Sequence, residues 1–232
     1  MRYIITLLLL SFFSFSCTVK QYYVIKHPKP KKQEAHDLDP VYDSAIILSS
    51  KNNSASGVII KVIDKKISYA ITVKHFCSAI KGKIKVAAAP HHLNTFVFFT
   101  GKVEKIHEFL DLCLVRLDGD TTHVRPIKIR GRKPYSGMRV YTLGAPAGLW
   151  PSKNEGYLVG ISRSKAPPPE FKGPDVIALS IPSFYGSSGS PIYDSQGHLV
   201  GIIMAVNTRF HHNSIGTPSY LIDIFVSHAL QK

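Results

Sequence analysis

Acidic residues, cysteine and tryptophan are all scarce in this chain. Of 232 residues only 15 are Asp or Glu against 29 Lys or Arg, which gives a formal net charge of +14 and a pI near 9.7. Such an excess raises the question of nucleic acid. The sequence nevertheless lacks a recognition helix, an RNA-binding aromatic motif and zinc-knuckle spacing, and its basic residues are scattered, among them Lys61, Lys65, Lys66, Lys81, Lys83, Lys85, Lys128, Arg130, Arg132 and Lys133. No specific nucleic-acid partner is expected; dispersed lysines make a solvated face that also favours anionic envelope surfaces. The three cysteines are Cys17, Cys77 and Cys113, and neither they nor the carboxylates recur at metal-ligand spacing. The pairs His91-His92 and His211-His212 do not fill that gap, because adjacent side chains diverge on a strand. No metal and no cofactor is therefore expected. With 44% hydrophobic and 19% charged residues, the composition excludes a disordered chain.

Long apolar runs are also missing. The run at residues 4–15, after Arg2, is too short to span a bilayer comfortably and reads as part of a signal peptide over residues 1–17. Its end, Ser14-Phe15-Ser16-Cys17, resembles a bacterial lipobox with Ser14 in the usual place of Leu. The segment therefore fits lipidation at Cys17, ordinary cleavage, or retention as an anchor. Residues 18–40 form a basic tether, with Pro28 and Pro30 among lysines favouring extended, solvated backbone. The folded domain is expected over residues 41–232. The expected location is the periplasm, with outer-membrane attachment if Cys17 is lipidated, and otherwise the exterior.

The chemistry concentrates in Tyr185-Gly186-Ser187-Ser188-Gly189-Ser190-Pro191, a serine set between glycines ahead of an apolar strand. Gly, Ser and Pro are common in turns, but this spacing also suits a nucleophile. Gly186 allows a tight backbone whose amide can converge with that of Ser188 on an oxyanion, while Gly189 leaves room beside the hydroxyl. Such a serine needs a base and a carboxylate to orient it. His75 ends the β-rich run at residues 69–75, and Asp111 opens Asp111-Leu112-Cys113-Leu114-Val115.

The order His75, Asp111, Ser188, with its flanking motifs, resembles the trypsin-like serine proteases, above all the Deg/HtrA protease domain and the bacterial glutamyl endopeptidases. The likeness extends over residues 44–224. Ala55-Ser56-Gly57 resembles the segment before the histidine strand, and Gly144-Ala145-Pro146-Ala147-Gly148 resembles the Gly-x-Pro-x-Gly loop of the second Deg barrel. Leu199-Val200-Gly201-Ile202 resembles the strand lining the cleft, and Ile215-Gly216-Thr217-Pro218 the segment closing the barrel. Two departures stand out. Ser187 occupies the usual place of Asn or Asp, which argues against activation by pairing with a freed N-terminus, and Ser190 replaces the second glycine, as in the glutamyl endopeptidases.

The resemblance implies an all-β fold of two six-stranded antiparallel barrels, about residues 41–120 and 126–222, with a short C-terminal helix. It implies peptide-bond hydrolysis in which Ser188 attacks, His75 carries the proton, Asp111 orients His75, and the Gly186 and Ser188 amides hold the oxyanion; protein or peptide substrates follow. No PDZ-like segment is expected after the protease region. Ile203 stands where glutamyl endopeptidases have His, so Ile203, Met204 and Ala205 suggest an apolar cleft edge suited to small or medium aliphatic residues. Cys77 and Cys113 form an even pair in an oxidising compartment, which fits either a disulfide or two buried thiols. The rival reading is an envelope binding protein that keeps the fold without turnover.

From the same sequence, Asp64-Lys65-Lys66 marks a hairpin, and residues 96–100 and 101–106 two further strands; the resemblance implies a short helical turn over residues 72–78. Asp111 is expected to begin its strand, the link between barrels to run over residues 119–126, and residues 165–174 to form an exposed proline-rich loop.

Overall fold

The computed structural model describes residues 39–51, 53–80, 82–165, 172–206 and 213–231. The signal peptide, Cys17, nearly all of the tether, the triproline at 167–169 and His211-His212 lie outside these residues.

A short helix, α1 (Asp39–Tyr42), leads into the first barrel, which contains β1 (Ala45–Ser50), β2 (Asn53–Val62), β3 (Ile67–Thr72), β4 (Ile84–Ala88), β5 (Val97–Ile106) and β6 (Cys113–Asp118). The barrel closes in the order β1-β2-β3-β6-β5-β4, all antiparallel. The β2–β3 hairpin turns at Asp64, whose carboxylate accepts the Lys66 and Ile67 amides at 2.7 and 2.8 Å, so an Asx-type bond replaces strand pairing where the chain reverses. The single helical turn α2 (Lys74–Ser78) follows β3 directly.

The second barrel contains β7 (Arg139–Gly144), β8 (Ser152–Lys165), β9 (Lys172–Leu179), β10 (Pro191–Tyr193), β11 (Leu199–Val206) and β12 (Ser214–Pro218), closed as β10-β11-β12-β9-β8-β7. A terminal helix, α3 (Ser219–Leu230), follows. The expected all-β fold of two six-stranded antiparallel barrels with a C-terminal helix is the observed one. Closure removes every sheet edge. The inward faces fill with β-branched and aliphatic side chains, among them Ile46, Ile71 and Val115 in the first barrel and Val140, Leu158 and Ile177 in the second. Tyr193 and Leu199 of the second barrel, and Phe225 of α3, belong to the first barrel's cluster.

Several local expectations change. Residues 97–106 form one strand, with an irregularity between Val103 and Lys105, rather than two. Gly101 does not break it: a Cβ there would meet Ile84 Cβ at 3.0 Å and Val115 Cγ1 at 3.2 Å, so the glycine admits a close strand crossing. Asp111 lies in the loop before β6, which begins at Cys113. The expected loop at residues 165–174 is partly sheet, since Lys165 pairs with Lys172 and β9 already includes Pro174. Pro174 is tolerated because the register shifts between Arg163 and Lys165, where the ladder needs no donor.

Cys77 and Cys113 form a disulfide, with Cα atoms 6.5 Å apart and a sequence separation of 36. It joins α2 to the first residue of β6. Closing a loop of that length stabilises the fold by about 4 kcal/mol in the chain-entropy model. The Cys77→Ala/Cys113→Ala protein is accordingly expected to unfold in urea at a clearly lower midpoint; an unchanged midpoint would contradict this contribution.

Candidate active site

Strand pairing brings the histidine and the aspartate together. Thr72 at the end of β3 is paired with Cys113 at the start of β6. His75 lies three residues beyond the first and Asp111 two residues before the second, so both emerge at one end of the first barrel. The disulfide fixes α2 against β6 there. Asp111 then holds the histidine twice: Oδ1 accepts the His75 amide at 2.9 Å and Oδ2 lies 2.8 Å from Nδ1. A carboxylate at Nδ1 requires the ring proton there and leaves Nε2 as the basic nitrogen. The His75 side chain is 54% exposed and Asp111 18%. The hydrogen bond from Asp111 raises the His75 pKa above its ordinary 6.5, burial opposes that rise, and the charge of Asp111 adds to it.

Ser188 is supplied by the connection between β9 and β10. Phe184 to Ser187 form a tight turn, with the Ser187 amide donating to the Phe184 carbonyl at 2.9 Å and Gly186 at φ +92°. A positive φ at the third residue is what a type II turn demands. A Cβ on Gly186 would also stand 2.3 Å from the Ala145 oxygen, so that position excludes a side chain on two grounds. Ser187 is buried, and its hydroxyl accepts the Phe184 amide at 3.2 Å. Where an acidic residue would reach for a distant partner, this shorter side chain closes its own turn.

Among the described residues, neither the Gly186 amide nor the Ser188 amide has an acceptor. The adjoining backbone is fixed: the Gly189 amide donates to Ile203 at 2.7 Å, and the Ile203 amide donates to Ser190 at 2.9 Å. Both amides are therefore available to an acceptor, on a turn whose following residues are pinned. The half-buried Ser188 hydroxyl makes no hydrogen bond among the described residues, so none joins it to His75. Catalytic hydrogen bonds are often long before substrate binds.

The sequence did not single out Ser56, which fastens this turn to the first barrel. Fully buried in β2, it donates its amide to the Ser188 carbonyl at 2.8 Å and its hydroxyl to the Gly186 carbonyl at 2.8 Å. The same hydroxyl accepts the Ala145 amide at 3.0 Å, and the Ser56 carbonyl accepts the Thr72 hydroxyl at 2.7 Å. Ser188 is thus tied through Ser56 to the strand that leads to His75. A small polar residue at the head of an apolar β-branched run was the available signal. Of the expected cleft residues, Ile203 packs into the second barrel's core, Met204 is half-buried and Ala205 is exposed.

Two antiparallel barrels with a histidine–carboxylate pair on the first and a glycine-flanked serine turn on the second define the architecture of chymotrypsin-like proteases. The chain belongs to the trypsin-like peptidase domain family, whose pattern matches residues 55–202. It is 29% identical over 110 residues to the chloroplastic protease Do-like 1 of Arabidopsis thaliana, a match covering 47% of this chain and 25% of the relative. The match therefore spans about a quarter of that relative's length. The Rv3671c protease of M. tuberculosis in its active form superimposes with a TM-score of 0.68 at 17% identity, covering 84% of this chain and 83% of that one. A serine endoprotease of Yersinia pestis superimposes with a TM-score of 0.68 at 17% identity, covering 86% and 68%. At such identities these structures speak for the fold.

Proposed function

We propose that the chain is an exported endopeptidase in which Ser188 is the nucleophile, His75 the general base and acid, and Asp111 the group that orients His75. The doubly hydrogen-bonded His75–Asp111 pair, on the strand system that also anchors the Ser188 turn, carries this reading. Ser188 Oγ attacks the scissile carbonyl carbon as Nε2 of His75 takes its proton. The oxyanion forms against the Gly186 and Ser188 amides. As the C–N bond breaks, His75 returns the proton to the leaving amine and an acyl-serine ester remains. Water, deprotonated by His75, cleaves the ester and restores Ser188. This cycle needs no cofactor. The apolar edge formed by Met204 and Ala205 of β11 favours small or medium aliphatic residues before the scissile bond. Export rests on the apolar N-terminal run, and attachment to a membrane on Cys17.

One experiment addresses both specificity and the base: hydrolysis of a peptide library, with kcat/KM of the best substrate followed against pH. Neutral His75 is the active form and Asp111 raises its pKa, so activity is expected to fall on acidification with a midpoint above 6.5. Cleavage mainly after charged residues would overturn the aliphatic preference. A midpoint at or below 6.5 would contradict the coupling of His75 to Asp111.

A further inference from the structure

The loop that presents Asp111 is wound around an imidazole. It leaves β5 at Ile106 and enters β6 at Cys113, two residues paired with each other. The His107 amide closes its base by donating to the Leu112 carbonyl at 3.0 Å. Within the loop, His107 Nδ1 lies 3.1 Å from the Phe109 amide and 3.0 Å from the Leu110 amide. Both partners are backbone N–H donors, so Nδ1 can only accept, and the ring must be neutral with its proton on Nε2. The ring packs edge-on against Phe225 of α3 with centroids 5.3 Å apart, which fixes its orientation. Leu110 and Leu112 are both buried and flank Asp111 on either side. The carboxylate direction therefore follows the backbone that His107 holds.

We propose that His107 is a positioning residue for Asp111, its neutral Nδ1 gathering the Phe109 and Leu110 amides so that the Asp111 carboxylate meets both the amide and Nδ1 of His75. The inference rests on the function proposed above. Protonation of His107 replaces the acceptor with a donor and opposes both amides, so the same ring makes the geometry acid-sensitive. The charged groups bearing on it are Lys74 of α2, whose ammonium also donates to the Glu108 carbonyl at 2.6 Å, and Glu108 itself; from α3 the packed group is the Phe225 ring. Burial and then Lys74 lower the His107 pKa below 6.5, with Glu108 opposing. On acidification, His75 therefore protonates first and His107 second.

The test compares the full chain with His107→Leu, which removes the acceptor, and His107→Asn, which places an amide oxygen near the position of Nδ1 and cannot titrate. Asn accepts amides from following residues readily. The His75 imidazole is titrated by NMR, its signal assigned by loss in His75→Gln, and kcat and KM are measured in parallel. The expected result is a His75 midpoint above 6.5 in the parent and in His107→Asn, falling towards 6.5 in His107→Leu. The Leu form should lose on the order of tenfold or more in kcat with little change in KM. Parent-like His75 titration in the Leu form, or equal impairment in the Leu and Asn forms, would overturn the proposal.

If the Leu form does not fold, the acid limb decides. Log kcat/KM of the parent should steepen from a slope of one towards two as His107 protonates, whereas His107→Asn should keep a slope of one. Identical limbs would overturn the proposal. Absence of turnover in the parent would count against the protease mechanism alone, because the NMR midpoint reads the positioning of Asp111 without it.

Discussion

Replacing Ser188 by Ala is expected to lower kcat by about a million-fold, to the level left by binding and the oxyanion site alone. The substitution removes one half-buried hydroxyl that makes no hydrogen bond among the described residues, so the thermal midpoint should move by no more than about 2 °C. Both parts matter. A loss of activity with a large fall in stability would point to a disturbed turn, and undiminished hydrolysis by pure mutant would remove Ser188 from the mechanism. Steady-state kinetics on the best library peptide, with a thermal scan of the same sample, measures both.

Asp111→Asn is expected to reduce kcat by about 10⁴-fold. An amide in place of the carboxylate can still accept the His75 backbone amide, so the loop geometry should survive. The second interaction changes in kind. Where Oδ2 now receives the Nδ1 proton at 2.8 Å, the amide NH₂ would favour a proton on Nε2, the nitrogen that must be free to accept one from Ser188. The loss should be greatest near neutral pH and should appear in kcat more than in KM, since Asp111 does not touch substrate. A loss below about tenfold would show that His75 works without its orienting carboxylate.

The sequence and the structure meet most closely where chemistry and periodicity coincide. The β2–β3 hairpin was legible because Asp64 and two lysines interrupt a β-branched run, whereas α2 was expected from the family resemblance and not from any local pattern. The residues of the site were legible as candidates, since His75, Asp111 and Ser188 each follow or precede a strand in the order the fold requires. Less was legible in β4: Ile84-Lys85-Val86-Ala87-Ala88 is short and ends in two Ala, and Ala is a weak strand former whose place is set by pairing with β1 and β5. Gly101 looked like punctuation, although its reason is a neighbouring strand distant in sequence.

What the sequence withheld about the site is mainly long-range hydrogen bonding. Ser56 and the Gly186 carbonyl are 130 residues apart, and no local pattern marks one hydroxyl as the tie between two barrels. His107 is one of eleven histidines; its distinction is that two amides turn back upon it, a property of the folded loop. The disulfide was open for a similar reason, because a separation of 36 positions between Cys77 and Cys113 does not say where the two chain segments meet. The pairing of Thr72 with Cys113 does.

The claim at the centre is that His75 and Asp111 activate Ser188. Incubating the purified protein with a fluorophosphonate, which reacts with activated serines as an acyl donor does, and mapping the adduct by mass spectrometry tests it most directly. The account predicts a single adduct on Ser188, absent from Ser188→Ala and much slower in Asp111→Asn. A folded protein that stays unlabelled, or one labelled at another serine, would contradict it.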